Sequence, residues 1–149
     1  RFVQVTSYGW DTHGDHFNGS ASLIPKFDAA FASIVEDLRD RGLLDNVLVV
    51  AMSEFGRTPR INGHIGRDHY PEAWSLAMAG AGIARGRIIG GTDAEGVFVD
   101  APQAYDIGSL FHTWYAALGV DSEKVEFMNG DQPLPIAHQE MAPIKEALA

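Results

Sequence analysis

Val47-Leu48-Val49-Val50-Ala51-Met52 is a continuous apolar run that stops at Ser53-Glu54-Phe55-Gly56-Arg57-Thr58-Pro59. Six apolar residues, three of them valine, ended by a polar loop, read as a strand buried on both faces. Ahead of it, residues 21–41 carry Leu23, Phe27, Ala30, Phe31, Ile34, Val35 and Leu38 at three- and four-residue spacing. That is the period of an amphipathic helix with one apolar stripe. Pro25 fits its first turn and Gly42 its C-terminal stop. Further upstream, Phe2, Val3 and Val5 make residues 1–7 an expected strand. Strand, helix and strand in succession predict a right-handed βαβ unit. The expected fold class is therefore α/β, a sandwich with a mostly parallel sheet flanked by helices.

Downstream, Trp74-Ser75-Leu76-Ala77-Met78-Ala79 is a third strand candidate. A Gly-rich stretch over residues 80–96 precedes an expected hairpin around Val97-Phe98-Val99. Asp106 is placed to cap a second helix, with Ile107, Leu110, Phe111, Trp114 and Leu118 on one face and Gly119 at its end. Residues 120–149 hold several prolines and read as an irregular tail. No internal repeat and no low-complexity segment is present.

The chain has 149 residues and a mass of 16.2 kDa, the size of one ordinary domain. It is 46% apolar and 21% charged, enough for a sizeable core. Its formal charge of -9 argues against a binder of nucleic-acid backbone and against a polybasic membrane-surface protein. With no cysteine, disulfides, thiolate chemistry and Cys-based zinc sites are excluded. No apolar run reaches 18 residues, so no transmembrane helix is expected. The chain opens inside a strand-like run with no signal peptide, which leads us to expect the C-terminal part of a longer protein. A sheet cut from other strands would expose an edge and an apolar face, so self-association is also expected.

Metal-capable side chains gather after the ends of the expected strands. Asp11, His13, Asp15 and His16 crowd the first loop, Glu54 follows Met52 closely, and His64, Asp68 and His69 occupy the next loop. In open α/β sheets, ligands bind outside the carboxyl ends of strands, where these groups would converge. Such a set of imidazoles and carboxylates suits zinc, manganese, calcium or a related divalent cation. Each residue also has an ordinary structural reading. Asp11 and His13 fit Asx-turns in an exposed loop, and Glu54 fits a salt bridge to Arg57. His112 reads as a structural histidine on the second helix, and Trp74 and Trp114 read as core. The Gly-rich stretch has no phosphate-cradling pattern.

The order of short motifs carries more than any one of them. Gly9-Trp10-Asp11-Thr12-His13, Arg41-Gly42-Leu43-Leu44-Asp45 and Ser53-Glu54-Phe55-Gly56-Arg57-Thr58-Pro59 form a series. It continues through Asn62, Gly66-Arg67-Asp68-His69, Ala79-Gly80-Ala81-Gly82-Ile83 and Gly90-Gly91-Thr92-Asp93. Over roughly residues 1–120 this series resembles the bacterial domain-of-unknown-function 1501 family, which looks like a branch of the alkaline phosphatase and sulfatase superfamily. The resemblance implies that residues 1–149 are the C-terminal portion of a larger domain of that type. It implies a metal-dependent hydrolase of phosphate or sulfate esters, acting on an anionic small-molecule ester, and relatives that are often exported. Carried over by motif order, Asp11, His13, Glu54 and His69 are the metal ligands, with His16 competing for the place of His13. Arg57, or Arg67, would bind the ester oxygens, and His69 is the alternative proton donor to the leaving group. Phe55 stands where the superfamily has a histidine ligand, and no residue matches the superfamily's nucleophile. The expected consequence is an incomplete two-metal site. The competing expectation is a non-catalytic binding or structural module that keeps the fold with a degenerate metal site.

Overall fold

The computed structural model describes residues 1–100 and 104–149. Residues 1–7, expected as the first strand, form no strand; Phe2 and Val5 are each 86% exposed. The first element is helix α1, His16–Asp40, which begins five residues earlier than the apolar period alone marks. Pro25 lies inside it rather than in its first turn. Its end follows glycine chemistry. Gly42 takes φ +67, its N–H donates to the Arg39 carbonyl, and the Leu43 N–H reaches back to the Leu38 carbonyl. That pair of bonds satisfies carbonyls the last turn would otherwise leave unpaired.

Strand β1, Val49–Met52, forms within the apolar run as expected, and β4, Leu76–Ala79, forms in the third candidate. Their pairing overturns the expected fold class. They run antiparallel, with Val49 opposite Ala79 and Met52 opposite Leu76. The described strands make three separate two-stranded antiparallel sheets, and no parallel sheet flanked by helices exists among the described residues. Two causes are visible. A βαβ unit needs a strand ahead of its helix, and residues 1–7 pair with nothing in the described sheets. A short apolar run also carries no information about the direction of its partner. The other pairs are β2 (Gly56–Arg57) with β3 (His69–Tyr70), and β5 (Glu126–Asn129) with β6 (Gln132–Pro135).

Helix α2, Ile107–Ala117, starts where Asp106 was expected to cap it, its carboxylate accepting from the Gly108 N–H at 2.6 Å. The tail is not irregular throughout. It folds back as the β5–β6 hairpin, with Gly130 at φ +64 in a two-residue loop. Near 97–99 the chain makes a single bridge between Thr92 and Val99 rather than a full hairpin.

The buried core lies around α2. Leu110, Ile144 and Ala147 form it, with Trp74, Leu76, Met78 and Trp114 packed against it, so both tryptophans serve the core as expected. Buried polar groups tie the tail to the helix. The Thr113 hydroxyl, fully buried, donates to the Ser109 carbonyl and accepts from the Ile144 N–H. His112, 2% exposed, sits between the Ser122 hydroxyl and the His138 carbonyl, a structural role as the sequence suggests. Elsewhere burial is thin. The accessible surface is 10773 Å², against about 7,500 Å² for a compact monomer of this mass. No residue of α1 is buried, and Phe27 and Ile34 of its apolar stripe are exposed. No helix among the described residues is long and apolar enough to cross a membrane.

Candidate metal centre

The β2–β3 ladder builds the site. Arg57 and His69 are cross-strand partners, so their side chains leave the same face about 5 Å apart. Asp11 lies between them. Its Oδ1 accepts from Arg57 Nη2 at 2.9 Å and from His69 Nε2 at 3.0 Å. His13 Nε2 reaches the same oxygen at 3.1 Å. One ligand atom from each of Asp11, His13 and His69 therefore falls within 4.8 Å of the others.

Backbone bonds explain how a loop near residue 13 meets a strand at residue 69. Arg67 N–H donates to the Thr12 carbonyl, Asp15 N–H to that of His64, and His16 N–H to that of Ile65. Asn62 closes the second loop. Its side-chain amide donates to the His13 carbonyl, and its oxygen accepts from the N–H groups of His64 and Gly66. The arrangement holds Ile65 at φ +58, a conformation that costs a β-branched residue about 1–3 kcal/mol and persists only where neighbours over-determine it. Gly66 permits the contact between the loops, because a Cβ there would lie 1.9 Å from the His13 carbonyl oxygen and 2.1 Å from its carbon. Both atoms are backbone, so the loops must part in Gly66→Ala. We expect that variant to keep its helical circular dichroism and to lose zinc uptake in calorimetric titration; uptake equal to the parent's would refute this account of the loop.

The electrostatics follow the contacts. The hydrogen bonds from His69 and Arg57 hold the Asp11 carboxyl down at about 2, below its ordinary 3.8. Asp68 is lowered as well, first by the His13 Nδ1–H that donates to it at 2.8 Å and then by Asn62. Partial burial pulls His16 down, and the charges of Arg67 and Arg57 add to this.

Of the sequence candidates, Asp11, His13 and His69 come together and Glu54 does not; it is exposed and outside the cluster. His16 turns away, hydrogen-bonded to the Thr12 hydroxyl at 2.6 Å and to Ser20 at 3.4 Å. Arg57 spends donors on the Trp10 and Arg67 carbonyls as well as on Asp11. Arg67 is occupied by the Thr58 and Pro59 carbonyls. Phe55 packs against the His69 imidazole, 4.0 Å between centroids with the rings tilted by 32°, and so orients that ring. Asn62 and Gly66, which hold the loops, lay inside the quoted motifs, but their spacing gave no sign of these roles. The site is open, the side chains of Asp11, His13 and His69 being 69%, 48% and 46% exposed.

A carboxylate oxygen and two imidazole nitrogens make a donor set that fits a borderline divalent ion with open coordination positions. It suits zinc better than calcium, which takes six to eight oxygens. The chain matches, over residues 1–148, the family described as protein of unknown function (DUF1501), and it belongs to that family. No curated protein matches it, and no solved structure does.

Proposed function

We propose that this chain carries the metal site of a hydrolase of phosphate or sulfate esters, with Asp11, His13 and His69 holding one divalent ion, best zinc. The observation that carries this reading is the convergence of those three donors within 4.8 Å. The reaction class comes from reading the domain-of-unknown-function 1501 family, which the motif series resembles, as a branch of the alkaline phosphatase and sulfatase superfamily. When bound, the ion supplies Lewis-acid polarisation of an ester oxygen. Arg57 fixes the orientation of Asp11 through its 2.9 Å bond and adds positive charge beside an anionic substrate. Phe55 fixes the plane of His69, which serves as a ligand rather than as the proton donor. With Phe55 in place of a further histidine, the site takes one ion.

A second reading, a binding module without turnover, is favoured by the open surface of the site and by Glu54 standing outside the cluster. Release of aryl alcohol from generic aryl phosphate and aryl sulfate separates the two. The hydrolase reading expects zinc-dependent release from one of them, abolished by a chelator and restored by added zinc. Zinc bound with no release from either ester leaves the binding module; no zinc bound removes the hydrolase reading and leaves a structural module with a degenerate site.

A further inference from the structure

We propose that Asp68 is a positioning residue that aims His13 Nε2 at the metal, held in turn by Asn62. This rests on the reading of Asp11, His13 and His69 as metal ligands. An imidazole has two nitrogens, and a half-turn about the Cβ–Cγ bond would put a ring carbon in the place of each. The Nδ1–H of His13 donates to Asp68 Oδ1 at 2.8 Å, while Nε2 faces Asp11 Oδ1 at 3.1 Å. The bond to Asp68 puts the proton on Nδ1 and leaves the Nε2 lone pair for the ion. A carboxylate behind the distal nitrogen also raises the basicity of a ligating imidazole.

Asp68 is in turn restrained. Asn62 Nδ2 donates to the same Oδ1 at 2.9 Å and to the His13 carbonyl at 3.0 Å. The Asp68 N–H donates to the Thr58 hydroxyl at 3.0 Å, and its carbonyl accepts from the Thr58 N–H. The Asn62 oxygen is taken by His64 and Gly66, so both donors and both acceptor positions of that amide are engaged. Asp68 is sequence neighbour to the ligand His69, yet it meets His13 on the side of the ring away from Nε2. Its role is therefore to orient a ligand and not to be a fourth one.

The test is zinc affinity, by competition with a chromophoric chelator, for the parent chain, Asp68→Asn and Asp68→Ala. The visible absorption of the cobalt-loaded forms and the unfolding temperature of the metal-free forms are measured beside it. We expect Asp68→Ala to weaken zinc binding by about 10–100-fold and to alter the cobalt spectrum, with the unfolding temperature unchanged. Asp68→Asn keeps an oxygen acceptor at the same place and loses less. Parent-like affinity in Asp68→Ala overturns the assignment while the metal site stands. Equal losses in both variants, tracking a fall in unfolding temperature with an unchanged cobalt spectrum, mean a structural role and overturn it too. If Asp68→Ala does not fold, the zinc affinity of Asp68→Asn decides, a parent-like value being the refutation. A parent chain that takes up no zinc removes the metal reading itself and this assignment with it.

Discussion

Replacing His69 with alanine is expected to lower zinc affinity by at least about 100-fold. Structural zinc sites of four ligands bind with about 10–16 kcal/mol, or about 3 kcal/mol per ligand, which corresponds to about two decades in affinity. His69 has no substitute within reach, because among the described residues only Asp11 and His13 share its cluster. Its loss also frees the Asp11 carboxylate from the first of the bonds that fix it. Calorimetric titration with zinc reads the change directly. Glu54→Ala is the matched control. Glu54 is exposed and outside the cluster, so that variant keeps the parent affinity. A large loss in Glu54→Ala with none in His69→Ala would reverse the ligand assignment.

Leu110→Ala is expected to destabilise the chain by about 3 kcal/mol, within the range for leucine truncation in a core. The residue is 6% exposed and packs with Ile144 and Ala147, where helix α2 meets the tail. Only four apolar residues of the described chain are buried to that degree, Ile83 being the other, so few remaining contacts share the loss. For a chain of this length the change lowers the unfolding temperature by about 6–12 °C. Urea denaturation at fixed temperature measures the free energy itself. The candidate metal centre is built from other segments, so below the transition the variant is expected to match the parent in zinc titration. A loss under about 1 kcal/mol would mean that the α2 core is not what holds the tail in place.

What the sequence revealed of the fold depended on how local the signal was. The stripe from Leu23 to Leu38 predicted α1, and Asp106 with Gly119 bracketed α2, because helix periods and caps are written within a few residues. Val47–Met52 and Leu76–Ala79 were visible as strands. Their antiparallel pairing was not, since apolar runs do not encode the direction of a partner. Phe2, Val3 and Val5 have strand propensity, but propensity without a partner leaves residues 1–7 unpaired in the structure. Asn129-Gly130-Asp131 carries the turn cue of the β5–β6 hairpin, while the prolines around it read as irregular chain. Pro133 and Pro135 are tolerated there because β6 pairs on one side only.

The candidate site was legible in its metal-capable residues and not in its supports. Asp11, His13 and His69 stood out as metal-capable residues in two loops. The reason offered for their convergence, the carboxyl ends of parallel strands, is replaced by backbone bonds lacing residues 12–16 to 64–67. Glu54 is suggested by motif order and by its place after an expected strand end, and that strand end leaves it apart from the cluster. Arg57 and Arg67, read as anion binders, are engaged by carbonyls that hold the loops. Those bonds depend on a loop conformation with Ile65 at positive φ, which no local propensity of isoleucine would predict.

The most direct test of the central claim is the metal content of the purified chain, measured by plasma mass spectrometry beside an Asp11→Ala variant after zinc loading and dialysis. About one zinc per parent chain and none in the variant are expected. Equal content in the two, whether both loaded or both empty, would contradict that claim.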